Sequence, residues 1–297
     1  GTAVSKITFR GVSRETSQVL HGFLTNGQDY IRIENLNITK TDTREGWNEA
    51  AVYISSQSNN IDIVNNYFHD IANVGIMSSY TDYSNSNIYI ANNTIYKVQQ
   101  GIGAYGSNWL IENNEINRLF RTPSTGWGED YARFFGSNIT FRNNYFHGTL
   151  WQDVCPPGTP SYNSATCQHI DGFQTFGLNG GYARNIIIDG NIVQSFGEGI
   201  ILEGNQGLLK DGTTGYSCTD VLIKNNIFVG GNQGISEIAS QWGILNMSCK
   251  NVRVINNDFI GPMTHGSGFQ VTTGEPTGVI QNNLFYNAGS NYWSEST

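Results

Sequence analysis

Three acids stand where this sequence could do chemistry. Asp130, Asp171 and Glu198 each precede the same short phrase: Asp130-Tyr131-Ala132, Asp171-Gly172-Phe173 and Glu198-Gly199-Ile200. The phrase recurs without an acid at Val74-Gly75-Ile76, Gln100-Gly101-Ile102, Gln233-Gly234-Ile235 and Ser267-Gly268-Phe269. If each phrase is one strand of a stacked array, the acids occupy consecutive rungs ~4.8 Å apart. Stacked like charges repel, so such a column makes sense where it binds a cation or holds a proton at a raised pKa. Other reactive groups lie close in sequence. His169 is two residues before Asp171, Glu129 and Tyr131 flank Asp130, and Glu203 lies further along the Glu198 segment. Three residues beyond each acid come Arg133, Gln174 and Ile201. Carboxyl, imidazole and guanidinium groups together form a general acid–base set. The other histidines, His21, His69, His147 and His265, have no charged column nearby.

The elements that would position these residues follow from a repeat. A strand-like run, an Asn-Asn turn and an apolar pair recur, as in Ile61-Asp62-Ile63-Val64-Asn65-Asn66-Tyr67-Phe68. The turn returns at Asn92-Asn93, Asn113-Asn114, Asn143-Asn144, Gly190-Asn191, Asn225-Asn226, Asn256-Asn257 and Asn282-Asn283, with an imperfect earlier copy at Asn35-Leu36. The spacing varies but never falls below 21 residues. A fixed floor with variable excess predicts one coil of a parallel β-helix whose extra residues leave as loops. The expected fold is all-β: one solenoid domain over residues 1–297, about nine coils, three short strands per coil. Long loops are expected at 117–128, 147–168 and 205–217. The first two would wall the acidic column and bring Trp127 and Trp151 to it as sugar-stacking rings.

Composition agrees with strands and excludes several functions. Of 297 residues only 13% are charged, 36 are Asn and 35 are Gly. The net charge of −8, without Lys/Arg clusters, argues against nucleic-acid binding. No apolar run reaches the ~18–20 residues of a membrane-spanning helix. The many Asn have a structural use: Asn tolerates the left-handed backbone of a tight corner, and its amide can link stacked rungs as donor and acceptor. The chain opens at Gly1, without Met, almost directly on the strand-like Lys6-Ile7-Thr8-Phe9-Arg10, as a mature or trimmed form would.

Four cysteines complete the pattern. Cys218 and Cys249 precede equivalent strands one coil apart, and the rung spacing falls within disulfide reach. Cys155 and Cys167 would then close a loop. Two such bridges predict an oxidising, extracellular setting for a secreted protein.

The coil repeat, the Asn turns and the Gly-apolar strands together resemble the pectin-lyase-like superfamily of right-handed parallel β-helices, over nearly the whole chain. Asp171-Gly172-Phe173 is similar to the Asn-Thr-Asp-Gly segment of polygalacturonases, with His169-Ile170 in place of Asn-Thr. Glu198 would match one acid of that family's Asp-Asp pair. The resemblance implies an extracellular enzyme that cleaves a polysaccharide. The favoured reaction is β-elimination on a uronate-containing glycan. Asp130, Asp171 and Glu198 would hold Ca²⁺, Arg133 and Gln174 would face the carboxylate, and His169, Arg133 or Tyr131 would be the base. The alternative is a glycoside hydrolase, which needs only paired carboxylates. A third reading is a carbohydrate-binding solenoid without catalysis. Glu129, Tyr131, Gln174, Glu203, Trp127 and Trp151 are the expected substrate contacts.

Overall fold

In the computed structural model, the described residues are 1–40, 50–121, 129–158, 167, 169–231, 240, 242–263, 267–271, 277–288 and 290–294. They form the expected coil: one 26-stranded sheet whose ladder pairings are parallel, each strand stacked on its counterpart from the previous coil. Three corners per coil make this possible, and most use a left-handed residue. At the first corner Asn35, Asn65, Asn92, Asn113, Asn143, Asn225, Asn256 and Asn282 all have φ of 54–56°, and Gly190 takes 69°. The second corner uses Asn60, Asn87, Asn108, Asn138, Asn185, Asp220 and Asn251. Asp70, Lys97, Arg118, Gly148 and Ser195 turn the third. Asn accepts this backbone at lower cost than other residues with a Cβ, which explains its abundance.

Directly after the first corner runs a buried amide ladder. In Asn66, Asn93, Asn114, Asn144, Asn191, Asn226 and Asn257, the side chain donates both to the next rung's amide oxygen and to a backbone carbonyl of the coil before. Their backbone N–H groups donate to the same next-rung oxygens. Every polar group of a dry corner is thereby satisfied, which burial requires.

Three apolar columns fill the interior, one from each wall. One runs Ile33, Ile63, Ile90, Ile111, Phe141, Ile188, Ile223 and Val254. A second runs Phe68, Ile95, Ile116, Phe146, Val193, Phe228 and Phe259. The third runs Val52, Ile76, Ile102, Ala132, Phe173, Ile200 and Ile244. All lie in one continuous core. Burying each large side chain contributes about 1.5–3 kcal/mol.

Both disulfides form as expected: Cys218–Cys249 with Cα atoms 4.7 Å apart, and Cys155–Cys167 at 4.2 Å. The loop expectations need correction. Residues 117–119 belong to the strand Glu115–Leu119, so the first loop starts later. The 147–168 segment contains a short helix, Trp151–Val154. Segment 205–217 is an antiparallel hairpin of Gln206–Leu208 and Thr214–Tyr216.

Candidate active site

The third wall carries the acids. Its rungs are the strands Glu129–Arg142, Ile170–Thr175, Glu198–Glu203 and Trp242–Met247. Register pairs Asp130 with Asp171 and Asp171 with Glu198, so the three do occupy consecutive rungs. The residue after each acid explains why the acid turns outward. A Cβ on Gly172 would lie 2.3 Å from the Gly199 carbonyl oxygen and 2.7 Å from Val193. Gly199 has the same relation to Gly243 and Phe228. These positions press into the core. At the equivalent place Tyr131 sends its ring inward, stacked on Phe146 at 5.3 Å, with its hydroxyl 2.7 Å from the Thr149 hydroxyl. Tyr131 is therefore a core residue rather than a groove contact.

The outward acids are dry. Glu129, Asp130 and Asp171 are wholly buried, and Glu198 is 7% exposed. Two cations accompany them. The Arg133 guanidinium pairs with the Asp130 carboxylate, and its Nε donates to Gln174 Oε1 at 3.1 Å. It also lies 5.5 Å from the Phe176 ring centroid. His169 Nδ1 is 3.1 Å from Asp171 Oδ2, and the imidazole is the open member of the group, its side chain 43% exposed.

Charge and burial set the protons. The hydrogen bond and charge of Asp171 push His169 up to about 10, so it is a cation at neutral pH. Burial pushes Asp130 up to about 7, against the pull of Arg133. Burial and the neighbouring Asp130 push Glu129 up to about 9. Burial, then the charge and hydrogen bond of Asp171, raise Glu198 well above the usual carboxyl range. At neutral pH a charged His169 thus faces Asp171 and Arg133 faces Asp130, beside Glu129, which keeps its proton, and Glu198, whose carboxyl is raised well above the usual range. Neither Glu129 oxygen has a hydrogen-bond partner among the described residues.

The donor atoms that come within 4.8 Å of one another belong to Asp130, His169 and Asp171, a set that replaces the expected Asp130, Asp171 and Glu198. An imidazole within this set and a guanidinium on Asp130 suit hard, oxygen-seeking Ca²⁺ poorly.

Other expected contacts scatter. Gln174 is in the wall beside Arg133. Glu203 is exposed at the far end of its strand, outside the cluster. Trp151 is half-buried and packs on the core beneath its loop. Trp127 lies outside the described residues, as do Gln233, Gly234 and Ile235. The rung after Glu198 is instead formed by Trp242-Gly243-Ile244, with Trp242 in register with Glu198. The sequence signal was a second Gly-apolar phrase nine residues after the first.

Comparison with known proteins supports the fold. Residues 80–285 match the family model described as right handed beta helix region. No curated protein matches the sequence. Among solved structures, PfbA, a surface adhesin of Streptococcus pneumoniae, is similar with a TM-score of 0.64 at 14% identity, covering 98% of this chain and 69% of that one. An alginate lyase from Paenibacillus sp. str. FPU-7 is similar with a TM-score of 0.53 at 15% identity, covering 100% and 86%. A double mutant of the tailspike protein of E. coli bacteriophage HK620, in complex with a pentasaccharide, gives 0.57 at 13% identity, covering 98% and 57%. With left-handed corners that recur from coil to coil, a continuous amide ladder and a family match over most of its length, the chain belongs to the right-handed β-helix family.

Proposed function

We propose that this protein is a carbohydrate-active enzyme that hydrolyses glycosidic bonds, with Glu198 as the general acid. One observation carries the reading. Burial and the charge and hydrogen bond of Asp171, one rung away, raise the Glu198 carboxyl well above its usual range, and His169 pairs with that same Asp171 at 3.1 Å. An acid with a raised pKa beside a second carboxyl is the pair of groups that glycoside hydrolysis requires. Glu198 gives its proton to the glycosidic oxygen as the C–O bond breaks, a carboxylate of the column supports the developing positive charge at the anomeric carbon, and a water molecule then forms the new C–O bond there and returns its proton to Glu198. The glycan partner is consistent with two similar structures, an alginate lyase and a tailspike protein bound to a pentasaccharide.

β-Elimination sits less well with this geometry. Each expected base is otherwise engaged: His169 is protonated until about 10, Arg133 is bound to Asp130, and Tyr131 is in the core. The donor set of Asp130, His169 and Asp171 suits Ca²⁺ poorly and the hydrolase reading needs no metal, so chelation should leave the rate unchanged. A binding-only solenoid is the second reading, favoured by the similarity to a surface adhesin. Two disulfides support action outside the cytosol.

The test is a panel of neutral and acidic polysaccharides, scored for new reducing ends and for the ultraviolet absorbance of unsaturated ends. Hydrolysis predicts the first without the second. Glu198→Gln should lower the rate about 10²–10⁴-fold with the fold retained. Unsaturated ends would establish elimination, and retention without cleavage would establish the binder.

A further inference from the structure

We propose that His169 is a substrate-contacting residue, and that its Nε2–H binds an oxygen acceptor on the sugar unit held beside Glu198. The inference rests on the hydrolase reading and adds the group that holds the substrate. Exposure singles His169 out. Glu129, Asp130 and Asp171 are wholly buried, Glu198 is 7% exposed and Arg133 9%, whereas the His169 side chain is 43% exposed. His169 and Glu198 are also close, because both engage Asp171: His169 through Nδ1, and Glu198 by hydrogen bond from the next rung. A sugar that approaches the Glu198 carboxyl from solvent therefore passes the imidazole.

The two ring nitrogens stand in different positions. Nδ1 is 3.1 Å from Asp171 Oδ2, while Nε2 has no hydrogen-bond partner among the described residues. Asp171 is fixed in the strand Ile170–Thr175, between the rungs of Asp130 and Glu198. The His169 backbone is tied as well, its carbonyl accepting the Glu129 N–H at 3.2 Å. The ring is thus oriented, and the nitrogens of an imidazole diverge, so Nε2 is aimed away from the buried acid. As a cation at neutral pH the ring carries hydrogen on both nitrogens and accepts at neither. Nε2–H can therefore meet only an acceptor, such as a sugar hydroxyl, ring oxygen or carboxylate. The other cation of the cluster is engaged, Arg133 with Asp130 and Gln174. A charge-assisted hydrogen bond is stronger than a neutral one. Asp171 touches both groups, so a sugar held on His169 is placed against Glu198.

The experiment reads contact without turnover. Glu198→Gln protein carrying isotope-labelled histidine is titrated by NMR with oligosaccharides cut from xylan, mannan, cellulose, dextran, polygalacturonate and alginate. With at least one of them the His169 Nε2 signal should move and its proton should exchange more slowly with solvent, while Nδ1, bonded to Asp171, stays in place. Adding His169→Ala should weaken binding of that oligosaccharide about 10–100-fold. An Nε2 signal that no oligosaccharide moves, or that stays unmoved when one binds, or undiminished binding in the Ala variant, overturns the proposal. Circular dichroism melts show whether the Ala variant folds. If it does not, the Nε2 titration decides alone, because it leaves His169 intact. Turnover by Glu198→Gln would remove the hydrolase reading and leave an Nε2 contact standing, so the two failures are distinguishable.

Discussion

The Nδ1–H of His169 donates to Asp171 Oδ2 across 3.1 Å, and this contact organises the protons of the column. It holds the imidazole charged up to about 10 and gives Asp171 a counter-ion that Glu198 lacks. The His169 ring should therefore titrate near 10 by NMR. In Asp171→Asn the two largest causes of the rise disappear, and the midpoint should fall toward ~6.5. A wild-type midpoint between 6 and 7 would sink the assignment of His169 as a fixed cation. Because the folded pKa lies above the unfolded one, the pair's stabilisation is complete below ~6.5 and is lost as pH rises through about 10.

Glu129 should make the protein weaker in alkali. Its carboxyl is wholly buried, has no hydrogen-bond partner among the described residues and keeps its proton up to about 9. The unfolded carboxyl ionises near ~4.3, so between these limits the folded state binds more protons. Stability then falls as pH rises, by at most ~1.4 kcal/mol per pH unit from this one group. Urea unfolding at pH 5, 7 and 9 should show the decline, and Glu129→Gln should reduce its slope. An unchanged slope would mean that Glu129 is ionised in the native protein.

The sequence disclosed the scaffold more fully than the site, for a physical reason. Corner residues must have positive φ and a ladder amide must meet its copy on the next rung, so Asn recurs visibly at each coil. Cys218 and Cys249 announced their pairing through the same register. Side-chain direction is harder to see. Tyr131 replaces a glycine that presses into the core, so its direction follows from Gly172 and Gly199 rather than from its polar hydroxyl. Trp242 was hidden because Gly234 lies eight residues beyond Asn226, as Gly199 does beyond Asn191. Counting back from the next corner does not separate the candidates either, because the distance runs from 13 residues between Gly101 and Asn114 to 27 between Gly199 and Asn226, a range that holds both Gly234 and Gly243 before Asn257. His169 drew notice for its place before Asp171, but its charge came only from the contact between them.

The Cys218–Cys249 bridge should stabilise the solenoid substantially. It joins consecutive coils across 31 residues, and both sulfurs are buried in the core. A loop of that length removes about 3–4 kcal/mol of chain entropy from the unfolded state. The paired variant Cys218→Ala, Cys249→Ala should lose stability of that order in denaturant unfolding, and reducing agent, which also opens Cys155–Cys167, should lower the wild-type midpoint at least as far. Equal midpoints for oxidised and reduced wild type would show that coil stacking alone fixes this segment.

The two asparagines of one turn should respond oppositely to replacement. Asn143 is exposed with φ 54°, so its contribution is backbone conformation. Glycine takes the same corner at Gly190, and Asn143→Gly should change stability by less than about 1 kcal/mol, whereas a β-branched residue there should cost more. Asn144 is buried, and its Oδ1 accepts from both the backbone N–H and the side-chain amide of Asn114, each at 3.0 Å. Asn144→Leu preserves volume but leaves those donors without their acceptor, at a cost of about 2–4 kcal/mol. Leu36 shows why leucine is tolerated elsewhere in the same column. Its N–H donates to Asn66 Oδ1 at 3.0 Å, and Val12, its counterpart in the coil before, donates its N–H to Ser17 Oγ at 2.9 Å rather than to a ladder amide. If Asn144→Leu unfolds at the wild-type denaturant concentration, the ladder is an ornament of the corner and the apolar columns alone hold the coils in register.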